Sequence, residues 1–390
     1  MMQLLFWISA LLILYCYFGY PVLIYLLAGL FEKKIDKLPI EPTVSIIISA
    51  YNEEDCIADK IQNLLSLDYP SSKMEIIIGS DGSTDKTNEI VQKFSVPILA
   101  FYAYSQRRGK MATINDLVKQ AKNEIIIFTD ARQSFEKNAI RQLVANFHDQ
   151  YIGCVSGELH FKPLTVAGGT AKGISLYWKY EKFLRACESK FQSMLGATGA
   201  IYAIRHHLFT PIPQNVILDD MFVPLKIIQK GYRAVFDADA KAYDIVADNP
   251  QEEYRRKVRT LYGNYQIFWI LSKLFNPFSS RIALQLFSHK LLRVIAPFLL
   301  IAMLIINLYL VNISSLYSIT MASQVIFYTL AMVGMTTKQT KYGFLKIVSK
   351  LCYVPYVFCL LNFSALVGFL RFIKSEQNVT WEKAREQSSV

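Results

Sequence analysis

Short apolar runs alternate with helix-like patterns in the first half of the chain. The runs Val44–Ile48, Ile76–Ile78 and Ile125–Phe128 are too short for helices and lack polar alternation, so we predict strands buried on both faces. Between the first two runs, apolar residues from Ile57 to Leu65 recur at the spacing of one helix face. This alternation predicts an α/β fold with a mostly parallel sheet and crossover helices.

Small polar and acidic residues follow each of these runs. Glu53, Asp81 and Asp130 lie just beyond the first, second and third run, respectively. Because ligands bind at the carboxyl ends of strands in open α/β sheets, we expect these side chains to share one crevice. An acid at a strand end can also cap a turn, and for Asp130 both interpretations stay open.

Two further groups of residues extend this chemistry. Asp130 and Asp81 together with Lys110 suit a divalent cation that holds a diphosphate, because Mg²⁺ and Mn²⁺ prefer carboxylate and phosphate oxygens. Such a cation would stabilise a departing diphosphate. Asp219 and Asp220 open a predicted helix, where they either complement its N-terminus or supply a general base that deprotonates an acceptor hydroxyl.

Long uncharged segments lie at both ends of the chain. Leu4–Phe31 would reach ~42 Å as a helix, enough to cross a membrane, with Pro21 as a candidate kink. The uncharged segment Val294–Thr337 is long enough for two spans joined by a turn at Asn312–Ser315, and Leu351–Leu370 suits one more. We therefore predict one N-terminal and about three C-terminal transmembrane helices.

These patterns divide the chain into five parts. We predict an N-terminal transmembrane helix with a basic linker over 1–37, a cytoplasmic α/β domain over 38–250, interfacial helices over 251–290, transmembrane helices over 291–372 and a polar tail over 373–390.

The net charge of +11 does not indicate nucleic-acid binding, because the basic residues flank the apolar segments. Their positions favour contact with membrane lipids and place the α/β domain on the cytoplasmic side of the plasma membrane. The six cysteines show no CxxC spacing and fit reduced packing residues.

An ordered set of motifs gives the first indication of a family. Ala50-Tyr51-Asn52-Glu53, Asp81-Gly82-Ser83-Thr84-Asp85, Arg108-Gly109-Lys110, Asp130 and Leu218-Asp219-Asp220 resemble, in this order, the family-2 glycosyltransferases over about residues 43–262. With its flanking apolar segments, the chain is similar to the membrane-bound, polysaccharide-making branch. This resemblance implies a GT-A fold, a nucleotide-sugar donor (usually a UDP-sugar), inversion at the anomeric carbon, and a lipid-linked or polysaccharide acceptor.

The resemblance also implies a role for individual residues. Lys110 would lie near the diphosphate, Asp130 would be the first acid of the Asp-x-Asp metal motif, and Asp220, beside Asp219, would be the catalytic base. Nucleoside contacts would come from Ala50, Tyr51, Glu53 and Asp81. The segment Ala197–Ala200 and Arg205 would lie near the acceptor.

Two positions depart from the family pattern. Arg132 stands where the second acid of Asp-x-Asp is expected, which weakens the case for a fixed cation. Of the Gln-x-x-Arg-Trp motif of processive synthases, only Arg259 matches, and it can face either the diphosphate or lipid headgroups. Two alternatives therefore stay open: transfer of one sugar to a polyprenyl phosphate or diacyl lipid, and a non-catalytic membrane subunit that senses nucleotide sugars.

Overall fold

The computed structural model describes residues 1–162, 169–245, 250–336 and 343–375. The described chain divides into two compact units. The sheet unit contains residues 31–162 and 185–245, and the helical unit contains residues 1–30, 169–184, 250–336 and 343–375. The predicted polar tail lies outside the described residues from position 376 onward.

The sheet unit is built on one eight-stranded sheet with the order β3-β2-β1-β4-β7-β6-β8-β5. Its strands are β1 (Val44–Ala50), β2 (Met74–Asp81), β3 (Leu99–Tyr104), β4 (Ile125–Phe128), β5 (Ser134–Phe135), β6 (Ile152–Lys162), β7 (Tyr202–Arg205) and β8 (Arg233–Ile245).

Strand pairing follows the predicted pattern. The pairs β1–β2, β1–β4, β2–β3 and β6–β8 are parallel, whereas β7 is antiparallel to both neighbours and β5 is antiparallel to β8. The prediction of a mostly parallel α/β sheet is confirmed. Because β1 lies between β2 and β4, the chain segments that follow these three strands emerge at one edge of the sheet.

Some helices belong to the sheet unit, and the others make up the helical unit. In chain order they are α1 (Met2–Leu14), α2 (Tyr20–Leu30), α3 (Ile57–Leu65), α4 (Thr87–Gln92), α5 (Lys110–Gln120), α6 (Ala139–Ala145), α7 (Gly169–Phe191), α8 (Asp219–Gln229), α9 (Pro250–Ile270), α10 (Ala283–Gln285), α11 (Leu292–Leu310), α12 (Ser315–Thr336) and α13 (Gly343–Lys374).

Four helical stretches of the helical unit are long and apolar enough to cross a membrane. They are Met2–Leu30, Ala283–Leu310, Ser315–Met335 and Leu351–Lys374. The turn predicted at Asn312–Ser315 lies between α11 and α12.

Pro21 perturbs the first of these stretches. A proline has no N–H to donate to the carbonyl four residues earlier and its ring clashes with that carbonyl, here that of Tyr17. The preceding residues Tyr15–Gly19 form a widened π-helical turn, and the Tyr180 hydroxyl donates to the Tyr17 carbonyl oxygen at 3.1 Å. A side chain of α7 thus satisfies the carbonyl that the proline leaves without its helical partner.

A buried acid on α7 lies among three basic side chains of the helical unit. The Glu181 carboxylate contacts the Arg293 guanidinium, lies 3.3 Å from His289 Nε2 and lies 3.9 Å from Lys290 Nζ. All three basic residues belong to the stretch Ala283–Leu310. Pairing with an acid lowers the cost of keeping such side chains out of water.

Gly79 lets one helix lie directly on the sheet. A Cβ atom at this position of β2 would come within 2.7 Å of Thr113 Cγ2 and 2.9 Å of Leu117 Cδ1, both on α5. Real Cβ atoms do not approach other atoms this closely, so the small residue sets the distance between α5 and the sheet. The position of Lys110, the first residue of α5, depends on that distance.

We expect Gly79→Val to destabilise the sheet unit by about 1–3 kcal/mol, because the added methyl groups overpack the contact with α5. Thermal unfolding of the detergent-solubilised chain measures this change. Gly29→Ala is the control, since a Cβ there meets no atom within 4 Å. Equal unfolding temperatures for the two variants would contradict the close contact.

Candidate active site

The Asp81 carboxylate holds the loop that leads to Lys110. Its Oδ1 accepts the Arg108 N–H and its Oδ2 accepts the Gly109 N–H, each at 2.8 Å, and the side chain is 3% exposed. Hydrogen bonds to an ionised acceptor are among the stronger ones in proteins. Asp81 therefore fixes the backbone immediately before α5, and the nucleoside contact expected of it stays a prediction.

Gly82 brings this loop close to the end of β2. Its φ of +70° lies in the left-handed region, and a Cβ there would lie 2.6 Å from the Arg107 backbone nitrogen. Only glycine combines this backbone conformation with so close an approach. The Asp81-Gly82 pair thus sets the path of residues 106–109 by both hydrogen bonding and packing.

The segment after β1 is tied to the segment after β2. Asn52 adopts a φ of +54°, and its Oδ1 accepts the Thr84 N–H at 2.8 Å. The Glu53 N–H donates to Thr87 Oγ1 at 2.8 Å. These cross-links tie the predicted nucleoside residue Glu53 to the segment after β2, and Ala50, at the end of β1, pairs with Ser80 of β2.

Tyr51 forms an aromatic contact in the same region. The Arg107 guanidinium lies over its ring at 3.8 Å from the centroid. Because a guanidinium stacks favourably on an aromatic face, this contact orders Arg107 and covers one face of the Tyr51 ring. The position of Tyr51 beside Asp81-Gly82 is compatible with its predicted role in nucleoside binding.

Lys110 joins two of the predicted acids. Its Nζ lies 3.0 Å from Asp130 Oδ1 and 3.4 Å from Asp219 Oδ1. The side chains are largely buried, with exposed fractions of 19% for Lys110, 25% for Asp130 and 8% for Asp219. Residues from three distant positions in the sequence therefore meet around one ammonium group.

Electrostatics favour the charged forms of Lys110 and Asp130. Burial alone would raise the pKa of Asp130, but the neighbouring Lys110 ammonium outweighs it and lowers that pKa below its ordinary value. Burial likewise opposes the charge of Lys110, but Asp130 and Asp219 together raise its pKa. The site thus holds a fixed positive charge between carboxylates.

Asp220 differs from the other acids of the site. Burial and, to a smaller extent, the adjacent Asp219 charge raise the pKa of Asp220 to about 6 against the attraction of Lys110 and Arg185. A Cβ atom added to Gly199 would lie 3.5 Å from Asp220 Oδ2. The carboxylate therefore lies next to a residue without a side chain. A carboxylate of this pKa is mostly ionised at neutral pH and is a stronger base than an ordinary aspartate.

The predicted acceptor segment packs beside Asp220. The Ala197 N–H donates to the Asp220 carbonyl oxygen at 2.7 Å, and the Thr198 hydroxyl contacts the Arg185 guanidinium. The Arg205 guanidinium donates instead to the carbonyl oxygens of Ile152, Phe147 and Asp149. Arg205 therefore anchors backbone, and the acceptor-side role expected of it stays a prediction.

One buried residue near the site, Lys60, is not among the predicted site residues. Lys60 is 2% exposed, and its Nζ donates to Thr129 Oγ1 and to the Gln133 carbonyl oxygen, on either side of Asp130. Lys60 follows Ile57 by three residues and so falls on the apolar face of α3, which is the signal that could have revealed it. Arg259, by contrast, lies on α9 in the helical unit, and its proposed contact with the diphosphate stays a prediction.

The residues around Asp130 suit a cation that is held mainly by a substrate. In the described part of the chain, no group of three or more His, Cys, Asp or Glu residues could hold a metal ion. Asp130 offers one carboxylate, and exposed Arg132 occupies the expected position of a second. Because Mg²⁺ commonly takes one or two carboxylates with substrate phosphates and water, Asp130 fits a cation that binds together with a diphosphate.

Two family models match the part of the chain that carries this fold and these acids. The model of the family described as "Glycosyl transferase family 2" matches residues 45–203, and that of "Glycosyl transferase family group 2" matches residues 125–337, more than half of the chain. The chain belongs to glycosyltransferase family 2. The class of enzyme predicted from the ordered motifs is thereby confirmed.

Two curated relatives share part of this sequence. The poly-beta-1,6-N-acetyl-D-glucosamine synthase of Staphylococcus aureus (strain MSSA476) is 26% identical over 237 residues, 57% of this chain and 55% of the synthase. A Bacillus subtilis (strain 168) protein named "Probable glycosyltransferase YdaM" is 24% identical over 275 residues, 66% of this chain and 64% of that protein. The chain thus matches little more than half of the synthase.

A solved structure has a similar fold. The mannosyltransferase PcManGT from Pyrobaculum calidifontis, in complex with GDP-Man and Mn²⁺, superposes with a TM-score of 0.71 and 21% identity. The match covers 96% of this chain and all of that one. The predicted GT-A fold class with its added apolar helices is confirmed by this similarity.

Asp81→Asn should loosen the loop before Lys110, because an amide nitrogen replaces one acceptor of the two backbone N–H groups. Losing a hydrogen bond to a charged group costs about 1.5–3 kcal/mol, so tryptic cleavage after Arg107 and Arg108 should accelerate about tenfold or more. Limited proteolysis with mass spectrometry measures this rate. Asp59→Asn, which changes an exposed acid of α3, should leave it nearly unchanged.

Proposed function

We propose that this protein transfers a sugar from a nucleotide-sugar donor to a membrane-associated saccharide or lipid-linked acceptor, with inversion at the anomeric carbon. The meeting of Lys110, Asp130 and Asp219 beside Asp220 carries the proposal. It puts a fixed positive charge, suited to a diphosphate, next to a carboxylate suited to accepting a proton.

In this proposal Asp220 is the general base. Its carboxylate takes the proton of the acceptor hydroxyl as that oxygen attacks the anomeric carbon, and the bond from this carbon to the diphosphate oxygen breaks. The Lys110 ammonium stabilises the negative charge that develops on the leaving nucleoside diphosphate. Asp219 orients Lys110, and Tyr51, Glu53 and Asp81 face the nucleoside.

A divalent cation, Mg²⁺ or Mn²⁺, is part of the proposed donor complex. Asp130 would hold it together with the diphosphate, and when bound it would supply further charge stabilisation to the leaving group. The Mn²⁺ in the PcManGT complex supports this assignment. Arg132 adds a second protein cation near Asp130, and its charge helps to lower the pKa of that carboxyl.

The proposed donor and acceptor rest on the family resemblance and on the names of similar proteins. The resemblance favours a UDP-sugar, whereas the similar PcManGT structure contains GDP-Man. The name of the staphylococcal relative supports a growing cell-surface polysaccharide as the acceptor. The four apolar helices support a location in the plasma membrane, with the sheet unit on the cytoplasmic side where nucleotide sugars are made.

A second candidate is the transfer of a single sugar to a polyprenyl phosphate or diacyl lipid. The observation that favours it is the incomplete processive motif, in which Arg259 is present without its Gln and Trp partners. Mass spectrometry of the product made from a panel of UDP- and GDP-sugars separates the two, since one gives a ladder of masses and the other a single addition.

Asp220→Asn should lower the rate of sugar transfer in purified membranes by about 10²–10⁴-fold, because the amide cannot accept the hydroxyl proton. Asp116→Asn serves as the matched control, because Asp116 lies on the surface and pairs with Arg108. Transfer at the wild-type rate by the folded Asp220→Asn variant would show that another group is the base.

The pH profile of transfer should have an acid limb near pH 6. Asp220 works as a base only when deprotonated, and its pKa is raised to about 6, so activity should rise as pH increases through that value. Asp219→Asn removes a negative neighbour that raises this pKa, so the limb should move to lower pH. A limb that stays in place in Asp219→Asn would rule out Asp220 as the titrating group.

A further inference from the structure

Lys60 is a buried cation that lies behind the site. On α3 it occupies the inward face with Ile57, Ile61 and Leu64, and its ammonium lies 4.3 Å from the centroid of the Phe135 ring. Long charged side chains are rarely this buried, because taking an ammonium group out of water is costly. Its polar contacts therefore need an explanation.

The hydrogen bonds of Lys60 bracket the segment that carries Asp130. Its Nζ donates to Thr129 Oγ1 at 2.8 Å and to the Gln133 carbonyl oxygen at 2.6 Å. Residues 130–132, which include Asp130 and Arg132, form the short loop between these two attachment points. One ammonium group thus fixes both ends of the loop.

Thr129 extends this connection toward the acceptor side. Its hydroxyl donates to the Ala200 carbonyl oxygen at 2.8 Å while it accepts a hydrogen bond from the Lys60 ammonium. Ala200 ends the segment that contains Thr198 and Gly199, beside Asp220. Lys60 therefore orients a hydroxyl that links the Asp130 loop to the segment next to the proposed base.

Burial and the Asp130 charge act in opposite directions on the pKa of Lys60. Burial lowers the pKa of Lys60 to about 7, and the Asp130 charge acts against that shift. The charge of Lys60 in turn helps to keep the pKa of Asp130 low, together with Lys110 and Arg132. Lys110 and the protonated form of Lys60 thus both favour the ionised form of Asp130.

We propose that Lys60 is a positioning residue for donor binding: its ammonium clamps Thr129 and Gln133 so that Asp130 and Arg132 face the donor diphosphate. The proposal rests on the proposed function. Lys60 touches neither reacting atom, so its effect is on the affinity for the nucleotide part of the donor and not on proton transfer by Asp220.

The test is nucleotide binding by the full-length chain in detergent. Isothermal titration calorimetry with UDP and with GDP, each with Mn²⁺, should show at least tenfold weaker binding for Lys60→Met than for wild type. The KM for the donor should rise in parallel, while the KM for the acceptor and the acid limb of the pH profile stay within experimental error. A general loss of structure would change the KM for the acceptor as well as the KM for the donor.

Two further variants make the test decisive. Lys93→Met removes an exposed lysine and should behave as wild type. Thr129→Val removes the bridging hydroxyl at nearly constant volume, so it should weaken nucleotide binding even if Lys60→Met does not fold. Combining the two substitutions should add little to either one, because both break the same connection.

The outcomes separate this proposal from the function on which it rests. Wild-type nucleotide affinity and donor KM in folded Lys60→Met or in Thr129→Val, with an active wild-type enzyme, would overturn the role of Lys60 alone. A wild-type protein that binds neither nucleotide and transfers no sugar from the panel of donors would overturn both.

Discussion

The ion pairs of Lys110 with Asp130 and Asp219 are the interaction on which the rest of the site depends. Carboxylates in a largely buried space repel one another, and one of them would take up a proton without a cation between them. The Lys110 ammonium lies 3.0 Å and 3.4 Å from the two acids, and it lowers the pKa of Asp130. It also provides the positive charge that a diphosphate requires.

Neighbouring residues hold Lys110 and Asp130 in position. Gly79 lets α5 lie close to β2, Asp81 fixes the two residues before Lys110, and Gly82 makes room for their loop. On the other side, Lys60 holds the loop that carries Asp130. The parallel strands bring the loops together, and buried hydrogen bonds then set their positions.

Sequence patterns predicted the strands of the sheet better than the side-chain contacts of the site. Runs of isoleucine and valine reveal buried parallel strands, and strand order then places Asp81 and Asp130 at one edge. That Asp81 binds the N–H groups of Arg108 and Gly109 was not predictable, since every residue type except proline offers the same backbone donor. The burial of Lys60 departs from expectation, because a lysine in a helix usually reaches solvent. The place of Arg259 depends on a helix of the other unit, which sequence patterns do not orient.

The most direct test of the central claim is to remove the Lys110 charge and measure nucleoside diphosphate affinity. Titration calorimetry with UDP and GDP should show at least tenfold weaker binding to Lys110→Met than to wild type, since charge-assisted contacts are worth about 1.5–3 kcal/mol. Lys119→Met, an exposed lysine of the same helix, should bind as wild type does. Unchanged affinity in folded Lys110→Met would contradict the account, because the diphosphate would then bind elsewhere.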